Sequence, residues 1–105
     1  MIKKHYTLLF FFFLSLLHPL QGQQLRGKVV EATTGAPIEF ATIRLSSIAD
    51  SSLLQGTASG TDGTFSLPTP QVPAWLEVSF IGFEPVRMTD FGTGQLGIIR
   101  LGSAS

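Results

Sequence analysis

Phe40-Ala41-Thr42-Ile43-Arg44-Leu45-Ser46 is the stretch that decides the fold. Apolar and polar residues alternate through it, so every second side chain of an extended chain falls on one side. Ala41, Ile43 and Leu45 take the buried face, and Thr42, Arg44 and Ser46 face solvent. No helical spacing fits these residues, and the same period of two recurs in both directions along the chain.

Upstream, Leu25-Arg26-Gly27-Lys28-Val29-Val30 reads as a strand with Leu25, Gly27 and Val29 on one face. Thr33 to Pro37 is a turn, because Gly35 tolerates positive φ and Pro37 cannot continue a ladder. Downstream, Ser46 to Ser52 is a polar loop and Leu53 to Ser59 a third strand. Gly60-Thr61-Asp62-Gly63 then turns into Thr64-Phe65-Ser66-Leu67, and an Asp-Gly pair between two strand patterns predicts a hairpin. Pro68, Pro70 and Pro73 impose an extended connection. Trp75 to Ile81 is a fifth strand with Leu76, Val78 and Phe80 inward, Val86 to Thr89 a sixth, and Leu96 to Leu101 a seventh. Seven short strands separated by turn residues predict an all-β, antiparallel sandwich.

The first 22 residues read differently. Lys3 and Lys4 precede a nearly pure apolar run, Tyr6 to Leu17, and polar His18, Pro19 and Gln21 follow. This is the layout of a helical secretory signal peptide, with cleavage expected after Gly22. Twelve apolar residues are too few for a membrane anchor, which needs about 20. The expected organisation is thus a signal peptide, 1–22, and one exported domain, 23–105. Without Lys3 and Lys4 the domain keeps five basic residues against seven acidic ones. A net charge of −2 gives no footprint for nucleic acid and no drive for membrane insertion. The chain has no cysteine, so no disulfide can support so small a core.

Residues 23–105 contain no histidine, cysteine or tyrosine, and Lys28 is their single lysine. Ser-His-Asp and Cys-His catalysis are thereby excluded, as is a zinc site with nitrogen or sulfur ligands. The seven carboxylates fall on strand exteriors or in turns, where they read as surface charge, with Asp62 shaping its turn. No catalytic, cofactor or metal residue is assigned, and no enzyme activity is expected. Trp75 and Phe83 are the candidate contact residues, Trp75 because tryptophans are enriched in interaction hot spots. A sheet edge is a further place where a partner strand could add.

Taken in order, these segments resemble the carboxypeptidase regulatory-like domain. The resemblance rests on Gly27-Lys28-Val29-Val30-Glu31 through Ile38, then Ala41 to Leu45 and Gly56-Thr57. It continues through Asp62-Gly63-Thr64-Phe65-Ser66-Leu67, Leu76 to Phe83, and Leu96-Gly97-Ile98-Ile99-Arg100-Leu101. Gly60 departs from it, standing where the family usually carries an acidic residue. The resemblance implies a transthyretin-like sandwich without enzymatic activity, on the periplasmic side of the outer membrane. It also implies a setting at the N-terminus of TonB-dependent receptors and related barrels of Bacteroidetes-type bacteria. The expected partner is an outer-membrane barrel or plug in cis, or a periplasmic protein. The alternative is a stand-alone secreted sandwich serving surface assembly, adhesion or carbohydrate binding.

Overall fold

The computed structural model describes residues 23–104; the expected signal peptide, 1–22, lies outside them. Seven strands follow in order: β1 Gln24–Glu31, β2 Thr42–Ser47, β3 Leu53–Ala58, β4 Thr64–Pro68, β5 Ala74–Ser79, β6 Val86–Met88 and β7 Gln95–Leu101. No helix accompanies them among the described residues. They form a three-stranded sheet, β4-β1-β7, and a four-stranded sheet, β3-β2-β5-β6. The core between the sheets is built from alternate positions. Leu25 and Val29 come from β1, Ile43 and Leu45 from β2, Phe65 and Leu67 from β4, Leu76 and Val78 from β5, and Ile99 and Leu101 from β7. Full burial of such a side chain stabilises the fold by about 1.5–3 kcal/mol.

Gly27 shows why one inward position carries no side chain. It pairs with Phe65 on β4 and Gly97 on β7. A Cβ there would lie 2.8 Å from Phe65 Cζ. The glycine leaves that space to the aromatic ring.

The expected sandwich holds strand for strand, with four departures in detail. Four of the five ladders are antiparallel, but β1 and β7 run parallel. β6 ends beside the start of β5, and a short loop carries the chain across to the other sheet. β7 therefore begins next to the beginning of β1 and runs in its direction. The second departure is the β3–β4 hairpin, which does not form, because the two strands belong to different sheets. The segment before the turn is bonded to Phe40 and Ala41, and the turn itself to β1 through Val29 N–H and Gly63 O, 2.8 Å. Gly60 to Gly63 is thus an arch between sheets.

Third, Ser46 is buried rather than solvent-facing. It sits between Trp75 on one side and Leu53 on the other, where a bulge at Leu45/Ser46 shifts the register. Fourth, Phe40 precedes β2, in the left-handed region at φ 64°, and Phe80 and Ile81 follow β5.

Because β1 runs from one end of the sandwich to the other, the loops sort into two sets. The entry end holds Gln23 and the loops 48–52, 69–73 and 89–94. The exit end holds the loops 32–41, 59–63 and 80–85 and the tail 102–104.

Candidate interaction surfaces

Trp75 lies on the outer face of the four-stranded sheet, near the entry end. β5 places Ala74, Leu76 and Val78 inward, so Trp75 and Glu77 are turned outward and half-buried. Arg87 is the cross-strand partner of Glu77. Its Nε donates to Glu77 Oε1 at 3.3 Å, and its Cζ stands 4.7 Å from the centre of the Trp75 ring. Such a stacked cation is worth about 0.5–1 kcal/mol at an exposed site. Arg87 therefore occupies one face of the indole. Ile48, Met88 and Thr89 complete a shallow depression of about 400 Å³ around the pair.

Phe83 lies at the opposite end. Its ring packs beside Phe80, with centroids 6.0 Å apart and planes tilted by 46°. Both rings rest against the core, so Phe83 is first a rim residue of the hydrophobic interior. Its strand neighbour is Ser103 in the tail. Glu84 N–H donates to Gly102 O at 2.8 Å and Ala104 N–H to Gly82 O at 3.0 Å, which fixes the tail along the β5–β6 loop. Glu31, Pro37, Ile38 and Glu39 join the two rings around a depression of about 280 Å³. The two candidate residues are not brought together. Trp75 stands near the start of β5, and Phe83 lies in the turn beyond its end, where Phe83 N–H donates to Phe80 O at 3.0 Å.

The carboxylates do not converge. Among the described residues no group of three or more metal-ligating side chains is assembled. Asp62 Oδ1 accepts from Thr64 Oγ1 at 2.6 Å and from Thr64 N–H at 3.1 Å, so it shapes its turn. Asp50 does the same with Ser52, at 2.7 and 3.1 Å. These bonds, the hydroxyl first, hold both carboxyls below the ordinary aspartate range, since they favour the charged form. A general acid at neutral pH needs the opposite displacement.

Three further exposed features stand apart from Trp75 and Phe83. Phe40 is 69% exposed and Ile81 90% exposed, both at the exit end. Arg26, Lys28 and Arg100 share the outer face of the three-stranded sheet. β1 alternation points Arg26 and Lys28 outward, and the β1–β7 register places Ile98 opposite Lys28 and Arg100 opposite Val30. Spacing alone reveals the first pair; Arg100 joins them only through a pairing across some 70 residues.

A family model described as the carboxypeptidase regulatory-like domain matches residues 24–95. Among curated proteins none matches the chain. Among solved structures, the backbone protein of the group B streptococcus pilus 2b is similar, with a TM-score of 0.55 at 11% identity. The alignment covers 80% of this chain and 42% of that one, so this chain spans less than half of the pilus protein's length. At that identity the likeness is one of fold.

Proposed function

Since the chain belongs to the carboxypeptidase regulatory-like domain family, we propose that it is a non-catalytic accessory domain that acts by contact, placed on the periplasmic side of an outer-membrane receptor barrel. The observation that carries this reading is a single run: a leader-like segment at residues 1–22, followed at once by the family match from residue 24. Residues 23–105 offer no histidine, cysteine or tyrosine for chemistry, and their polar side chains are spent on turns and ladders. The partner in this reading is a barrel or plug in cis, and the contact residues are Trp75 and Phe83 with the exposed apolar groups near them.

Fractionation of the producing cell with an antibody against the domain tests the proposal. A product far heavier than the 11.3 kDa of this chain, found in the outer membrane, is the expected result. A product of this chain's own size in the periplasm or medium would overturn the receptor setting and favour a stand-alone secreted module.

A further inference from the structure

From the outer face and free edge of the three-stranded sheet we infer that β7 accepts an added strand from an acidic partner polypeptide. β7 pairs on one side with β1 and, among the described residues, has no strand on its other side. It is seven residues long, contains no proline, and is the longest of the four edge strands. Such an edge presents unpaired N–H and C=O groups to any extended chain. The other edges are less suited: β6 has three residues, β4 ends in Pro68, and β3, which carries a bulge as β7 does at Leu96, is one residue shorter.

Charge selects the occupant. Three of the five basic residues beyond residue 22, Arg26, Lys28 and Arg100, lie on this one outer face. No strand position on that face carries a carboxylate among the described residues, Glu31 sharing the parity of inward Val29. Asp62, in the arch that leads into β4, is a counter-charge that Lys28 attracts. By contrast, the four-stranded sheet sets Glu77 between Arg44 and Arg87, so its two cations share a carboxylate. Ile98, 57% exposed between Lys28 and Arg100, offers apolar cover for the backbone bonds of an added strand.

A second copy is the wrong occupant. Two β7 edges paired about a two-fold axis would make one continuous sheet with six cations on a single face, and like charges set side by side oppose that pairing. An alternating segment, acidic on the outer face and apolar on the inner, meets Arg100 and Lys28 on one side and the core rim at Leu96 and Ile99 on the other. This inference rests on the reading of the chain as a contact domain but not on its membrane setting, so the fractionation result does not decide it.

The test is fluorescence anisotropy of a labelled peptide alternating valine and glutamate, matched in length to β7, with the purified full-length chain. Saturable binding is expected, weakening roughly tenfold in a Lys28→Glu, Arg100→Glu double variant whose urea midpoint is unchanged. A peptide N-methylated at every amide keeps its charge and can pair along neither edge, so it should not bind; this arm leaves the protein untouched. Equal binding of the methylated peptide would reveal a plain anion patch and overturn the inference. Binding that ignores the charge reversal, or no binding at all, would overturn it too.

Discussion

At the exit end a buried hydroxyl holds segments far apart in sequence, whereas at the entry end the side-chain bonds are all exposed, including the one that spans 46 residues, from Thr69 Oγ1 to Gln23 O. Ser59 Oγ donates to Ile38 O at 2.6 Å and accepts from Ala41 N–H at 2.8 Å. The backbone of Ser59 adds bonds to Phe40 and Ala41. The loops at the entry end are closed by Asp50 with Ser52 and by Asp90 with Gly92, all exposed, and are linked to each other through backbone, as from Ile48 N–H to Pro73 O. A buried, fully satisfied polar group ties its neighbours into one cooperative unit, because losing any partner strands a desolvated atom. Exposed turns carry no such penalty, since water replaces what they lose. The exit end should therefore unfold with the core, while the entry end tolerates change.

The largest break of this contrast comes from Gly63→Ala. Gly63 has φ 81°, and a Cβ there would run into Val29 O. Strain and overlap together should destabilise the domain by at least about 3 kcal/mol, measured by urea unfolding. A loss below one kilocalorie would mean that the arch is not anchored to β1. Next is Ser59→Ala, which leaves Ala41 N–H and Ile38 O buried without their side-chain partner. A cost of about 2–3 kcal/mol is expected, against no measurable shift for Ser52→Ala at the other end. Equal midpoints for the two variants would dissolve the difference between the ends.

Phe40→Gly sharpens the comparison from the opposite direction. A phenylalanine at positive φ is strained, and this one is mostly exposed, so little packing is lost with it. The variant should gain up to about 1 kcal/mol, seen as a higher melting temperature. A loss would show that the Ser59 clamp needs the ring in place. The smallest effect is that of acid. Asp50 and Asp62 have depressed folded-state pKa values, so their contribution is complete above the unfolded value near 3.8 and fades as pH falls through the lower folded value. One lies at each end, so the amide protection factors in both turns should fall together below about pH 4. Loss of protection at one end alone would contradict the view that these two aspartate turns are held by the same local bonds.

Most of the architecture was legible because it is local. Alternation assigns Ala41, Ile43, Leu45, Leu76 and Val78 to the interior without knowledge of any partner strand. The errors arise where a distant contact overrides the pattern. Ser46 keeps the parity of a solvent residue and is covered by its neighbours across the ladder. Asp62-Gly63 has hairpin chemistry, but the residues before it are captured by β2 and those after it by β1. For the contact surfaces, residue type singled out Trp75 and Phe83, while nothing local tells that they stand at opposite ends. Nor can spacing show Ser59 as a clamp, since its partners are 18 and 21 residues away.

The parallel pairing of β1 with β7 has a mechanical consequence. A pull on Gln23 draws β1 toward the entry end, and a pull on Ala104 draws β7 toward the exit end. The two strands lie side by side, so tension loads their whole ladder in shear. The five paired positions from Gly27 with Gly97 to Glu31 with Leu101, together with Arg26 and Gln95, must yield together instead of unzipping one by one. Stretched between two attachments, the domain behaves as a stiff link that fails all at once.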